Sequence, residues 1–488
     1  MRGLLLFALC FTNLNDIWSP DVLPNALLPF TLLREGNVNY DEFVFRPAER
    51  RASTPATVTA DPNAGKLDSE AYFFRACGTS TATVPAGIPR SKGGPPAPGP
   101  NDHVCSVFPP GMGLLAIPFF LPVILSGAQA LDLAMLLRVG HVAAAFYETI
   151  AALLLWAVLR RIVSDRAALA LILLYFLGTS VRTISAQALW QHAGVHLAIA
   201  ASLWLVLRER QLSRLTEFLA GLALGLGGVV RQTTAFVASG QSPVRATWRG
   251  IATIFLGVVV GVIPLLIYNT VAYGSPVEQG YGAKPFDGSV LEGLNGLLFS
   301  PSRGVFVYEP WAILALAGFA ISRFANTTAG YVSGRISALV IPWAVFVALY
   351  ATYAEWWGGR VFGPRFLDDL APLLMVGLAW GVSGGWFALG FMRAIFLLGA
   401  GWSLLIFNAA AFVYDQSWDT LPVNVNDDPS KIFDWTHPQW LAVLQALPNG
   451  GPKVIVAVLL TALALIFLLR VEGVLSRRRN TRAVADGR

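Results

Sequence analysis

The stretch LAMLLRVGHVAAAFYETIAALLLWAVLRR, residues 133–161, decides the fold class. It is apolar from 133 to 159 and ends on two arginines, and only Arg138, His141 and Glu148 interrupt it. A helix crosses a hydrocarbon core with about 20 apolar residues, so this run is long enough to span. Similar runs follow at 167–183, 189–207, 217–230, 250–272, 305–322, 336–353, 366–383, 388–413 and 453–470, with a shorter return segment at 232–246. The pattern predicts an all-α polytopic membrane protein of about 11–12 transmembrane segments.

Composition agrees. The 488-residue chain is 55% hydrophobic and only 13% charged, where a soluble domain carries about 25% charge. Its 15 Trp suit interfacial belts. The net charge of +6 does not point to nucleic acid, because the arginines gather at the ends of apolar runs. Arg160, Arg161 and Arg166 share one short loop, Arg208, Arg210 and Arg214 another, and Arg323 and Arg335 flank a third. The tail carries Arg470, Arg477, Arg478, Arg479 and Arg482. The positive-inside rule places these loops and both termini in the cytoplasm.

The organisation that follows has a first membrane helix at 1–14, short enough to read as truncated, and an outer loop with interfacial or re-entrant helices at 15–132. A multi-span core at 133–413, an outer loop at 414–452, a last span at 453–470 and a basic tail at 471–488 complete it. Within the long loop, Leu23–Leu33 reads as a short interfacial helix and Arg90–Pro100 as irregular coil. The run after Phe108, broken by Pro118 and Pro122, reads as re-entrant or surface-lying. Cys77 and Cys105 share this loop, and the sequence leaves a bridge and two free thiols equally open.

The informative charges are those that break the topology rule. Arg303 lies in FSPSRG (299–304), and Arg360 and Arg365 lie in EWWGGRVFGPR (355–365), all on the outer side. Arg231 and Arg182 sit at the ends of apolar runs. A charge near the bilayer needs a partner, and the planar fork of Arg matches a phosphate. Asp21, Asp41 and Glu42 offer outer carboxylates able to take a proton from an acceptor hydroxyl, with Asp16 as a competitor for Asp21. Gln191 and His192 open another span. His192 and His196 share a helix face, but no third metal ligand is evident.

Several stretches resemble the GT-C superfamily of membrane glycosyltransferases, in its protein-mannosyltransferase and aminoarabinose-transferase-like bacterial branch. They are LPFTLLREG (28–36) leading to YDEF (40–43), FPPG (108–111), LWQH (189–192), YN (268–269) with YGSP (273–276), GLLFSPSRG (296–304) and GPRFLDDLAP (363–372). The resemblance implies an enzyme of a bacterial inner (plasma) membrane that moves a sugar from a polyprenyl-phosphate carrier to a glycan, lipid or protein acceptor. By position it puts the catalytic acid on Asp21, with Asp41–Glu42 similar to an acidic pair of the mannosyltransferases. The resemblance carries the donor-phosphate contacts to Arg303 and Arg365, and the placement of the residues themselves adds Arg360, Arg231, His192 and Gln191 as candidates. No cofactor is called for, and a metal requirement is left open. A transporter or lipid-linked-sugar flippase is the alternative, which would place its charges deep within the spans.

Overall fold

The computed structural model describes residues 1–46, 66–69, 71–78, 98–99, 101–208, 211–240, 248–278, 280–281, 286–322, 330–384 and 389–485. Helix makes up 69% of it, against four strands of two or three residues, so the protein is all-α. Most of the Arg90–Pro100 coil, Arg210 and Arg323 lie outside the described residues.

Among those residues, five helices are long and apolar enough to cross a membrane: Leu133–Leu159, Trp248–Tyr273, Ser333–Ala351, Gly390–Val413 and Gln439–Arg470. Five further apolar helices are shorter: Gly111–Leu125, His192–Val206, Val290–Phe299, Ala312–Ser322 and Ala371–Ser383. Several expected spans are therefore not continuous helices. The 167–183 run is helical only from Asp165 to Leu177, and a 3-10 turn at Ser180–Arg182 follows. All of 178–191 is buried. Non-helical backbone is tolerated at membrane depth only where protein covers it. Arg182 lies in this segment and donates to Asn408 Oδ1 (2.6 Å), Thr12 Oγ1 (2.7 Å) and Thr461 Oγ1 (2.8 Å).

Helix starts follow local chemistry. Asp132 accepts from the Met135 N–H (3.0 Å) and Ser213 from the Thr216 N–H (3.1 Å), which satisfies donors that the helix itself leaves open. The Arg214–Val230 and Trp248–Tyr273 helices touch backbone to backbone. A Cβ at Gly221 would lie 2.0 Å from the Ile254 carbonyl oxygen, so only glycine permits the approach.

The first helix is short, Arg2–Leu9. Leu23–Phe30 is a helix buried along its whole length. It packs against Gly111–Leu125, a single helix that carries both of its prolines, and a Cβ at Gly113 would meet Leu28 at 2.8 Å. Phe74–Ala76 pairs antiparallel with Val104–Ser106, and a disulfide joins Cys77 to Cys105 beside that pair.

Candidate active site

Asp21 lies in a 3-10 turn, Pro20–Val22, just after the extended chain that leaves the first helix. Two bonds hold this turn against the start of another helix. Trp190 Nε1 donates to Ser19 Oγ (3.3 Å), and Asn25 Nδ2 donates to the Leu189 carbonyl (2.8 Å). Asp21 is thereby set opposite Arg365, whose Nη2 donates to its Oδ2 at 2.9 Å. Each side chain is 15% exposed, so the pair is open at one edge.

The loop WWGGRVFGPR aims Arg365. Gly358, Gly359 and Gly363 have φ of 76°, 78° and 71°, a left-handed region that disfavours side chains. The resulting bends return the Gly358 carbonyl to Arg365 Nη1 (3.2 Å). Arg365 Nε faces His192 Nε2 at 3.4 Å, and the guanidinium lies 5.9 Å from the Trp190 ring centroid. Three of its five N–H donors are thus engaged.

His192 links the arginine to a deeper charge. Its Nδ1–H donates to Asp369 Oδ1 (2.8 Å), which leaves Nε2 as the acceptor toward Arg365. Arg231 lies 3.3 Å from the other Asp369 oxygen. The Arg231 guanidinium also sits over Tyr350 and Phe366, 5.6 and 5.4 Å from their centroids, and those rings stack at 4.4 Å. Asp21, Arg365, His192, Asp369 and Arg231 thus form one chain of charge running inward from the open edge. Gln191 precedes His192, and its buried Nε2 has no hydrogen-bond partner among the described residues.

Tyr72 lies over the pair, donating its hydroxyl to Asp21 Oδ1. Desolvation at that hydroxyl, then the neighbouring carboxylate, pushes its pKa above the usual phenol range, although the residue as a whole is 55% exposed. Arg360 and Arg365 pull it the other way, which places Arg360 within electrostatic reach of this rim.

Other expected residues lie elsewhere. Arg303 is 1% exposed, and protein uses all five of its donors. Nε donates to the Trp357 carbonyl (3.1 Å), Nη1 to the Ser302 carbonyl and Gln439 Oε1 (both 2.7 Å), and Nη2 to the Gly359 carbonyl (3.1 Å) and Asp419 Oδ1 (2.7 Å). The phosphate role expected of Arg303 therefore fails for want of a donor. Asp41 accepts from the Val104 N–H (2.9 Å) and Arg46 Nη2 (3.3 Å) and also meets His103, so it braces the loop. Glu42 is partly buried, and burial raises its pKa. No contact among the described residues ties Arg303, Asp41 or Glu42 to Asp21.

Sequence reasoning gave Asp369 and Tyr72 no role. The adjacent acids Asp368–Asp369 at the mouth of an apolar run were a usable signal. Tyr72 carried none.

Below the chain lies a second buried cluster. His196 donates from Nε2 to the Asp368 carbonyl (2.9 Å), its Nδ1 lies 3.0 Å from Glu148 Oε2, and Tyr175 donates to Glu148. His192 and His196 therefore serve different carboxylates.

No protein-family model matches this sequence, and no curated protein matches it. Among solved structures, the chain is similar to the crystal structure of the Archaeoglobus fulgidus oligosaccharyltransferase in complex with zinc and sulfate. The TM-score is 0.35 and the identity 13%, over 68% of this chain and 49% of that one. This chain thus covers about half the length of that protein. A likeness of this size carries no functional argument.

Proposed function

We propose that the protein is a membrane glycosyltransferase that takes its sugar from a polyprenyl-phosphate carrier on the non-cytoplasmic face of a bacterial plasma membrane. The observation that carries the reading is the Asp21–Arg365 pair. It is a carboxylate and a guanidinium held together at an open edge, with His192 and Arg231 behind them. In the resting site Asp21 supplies the anion that Arg365 requires. A donor phosphate would take that place and release Asp21 for proton transfer.

The acceptor hydroxyl attacks the anomeric carbon, and Asp21 takes its proton. The bond from that carbon to the phosphate oxygen breaks, and the electron pair leaves with the phosphate. Arg365, with Arg360 and Arg231 nearby, stabilises the growing charge. Asp369 holds the His192 tautomer that faces Arg365, and Gln191 offers a free amide donor. The spans would hold the prenyl tail, and the acceptor is a glycan, lipid or protein. The arginine-rich short loops and both termini would lie in the cytoplasm, with the disulfide-bearing loop outside.

The test is transfer of labelled sugar from a panel of polyprenyl-phosphate sugars into membrane extract by the purified protein. No transfer from any donor, with donor lipid bound, would defeat the reading. One observation favours a second reading. The Glu148–His196–Asp368 cluster sits deep among the spans, as a proton-coupled transporter would need. Substrate counterflow in proteoliposomes, lost in Glu148→Gln while sugar transfer is absent throughout, would establish that alternative.

A further inference from the structure

A second opening lies apart from the Asp21 site, at the outer end of the first helix. It is a cavity of about 410 Å³ whose walls include Phe11, Leu14, Asp16, Arg138, His141 and Val142. Arg138 stands on the exposed strip of the Leu133–Leu159 helix, with residues 134, 142 and 146 one turn apart along it. That strip is the lipid-facing side of a membrane helix, where a charge is costly without a partner. Among the described residues the Arg138 side chain has no hydrogen bond or ion pair. The same holds for Asp16, which is exposed and lies within electrostatic reach of His141. His141 is fixed by its bond to the Cys10 carbonyl (3.2 Å) and by stacking on Phe11 at 4.3 Å. Leu14 has φ +54°, a left-handed conformation strained for such a side chain.

An unpaired cation and an unpaired anion therefore line one cavity beside lipid without bonding to each other. A simple anion would satisfy Arg138 and be repelled by Asp16. A headgroup carrying a phosphate and a primary ammonium satisfies both. We propose that this cavity binds a membrane lipid with a zwitterionic phosphoethanolamine headgroup. Its phosphate meets Arg138, its ammonium meets Asp16, and its acyl chains run along Val142 and Phe146. The ammonium brings three N–H donors, which a trimethylated amine lacks.

The experiment is native mass spectrometry of the full-length protein after exchange into equal mixtures of phosphatidylethanolamine, phosphatidylglycerol and phosphatidylcholine. Phosphatidylethanolamine is retained in several-fold excess. Arg138→Gln lowers its retention roughly tenfold, the loss of one charge-assisted contact. Asp16→Asn keeps lipid but loses the preference over phosphatidylglycerol. Val142→Trp fills the cavity without altering charge, and it removes the lipid while leaving the thermal melt in place. Unchanged retention in Arg138→Gln, an intact preference in Asp16→Asn, or equal retention of phosphatidylcholine overturns the proposal. Displacement of the lipid by soluble phosphoethanolamine at matched concentration would also overturn it, since the site would then read the headgroup alone.

Discussion

Arg303 and Arg365 occupy similar sequence settings and opposite physical ones. Each lies in a loop punctuated by glycine and proline at the end of an apolar run, and each faces an aspartate. Arg303 and Asp419 are 1% and 0% exposed, and protein engages every donor of the arginine. Arg365 and Asp21 are both 15% exposed, and two donors of that arginine are unengaged among the described residues. A saturated guanidinium is a rivet between loops. An unsaturated one at an open edge can exchange its partner for a ligand. The difference lies in the count of satisfied donors, not in residue type or loop character.

That contrast can be broken by experiment. The largest effect is expected at Asp21. Asp21→Asn lowers the sugar-transfer rate by about 10²–10⁴-fold, the usual contribution of a positioned base, with the melting curve unchanged. Loss of folding in that variant would make Asp21 another rivet. Arg303→Ala should act in the opposite currency. It leaves Asp419 buried without its counter-charge and destabilises the fold by about 3–5 kcal/mol, measured by thermal unfolding in detergent. Donor-lipid affinity of the surviving folded fraction stays at the wild-type value.

Arg365→Ala comes next, with a rate loss of about 10²–10³-fold, typical of a lost charge-stabilising donor, and little change in stability. The smallest effect is at Glu42. Burial raises its pKa in the folded state, so the fold holds that proton more tightly than the unfolded chain does. Its contribution is greatest below the ordinary Glu value of about 4.3 and fades as pH rises through the raised folded value. Glu42→Gln flattens that stretch of the stability–pH curve, which denaturant melts at stepped pH would reveal.

Much of the fold could be read from the apolar runs, because lipid imposes a length and a polarity on every span. The 133–159 run is a helix over those same residues. The breaks were harder to see. Nothing local in 178–191 marks it as buried irregular chain, since its covering comes from distant segments such as Asn13, Asn408 and Thr461. The site was legible as isolated anomalies. Arg231 and Arg365 stood out as charges that break the topology rule, His192 as a polar group at the start of a span, and Asp21 as one of several loop carboxylates. Their mutual contacts were not legible, because they span sequence separations of up to 344 residues. Arg303 stood out by the same signal and proved saturated, because donor counting requires the Gln439 and Asp419 side chains from a segment more than 100 residues away.

The Cys77–Cys105 bridge has a practical bearing on work with this protein. It staples the hairpin that continues from Tyr72, the residue whose hydroxyl rests on Asp21. Thiol reductant in a purification buffer, or an expression host that keeps these two cysteines reduced, would slacken the lip over the acid while sparing the helices. A sample could then look well folded by circular dichroism and still give misleading assays, so its redox history belongs beside every rate recorded.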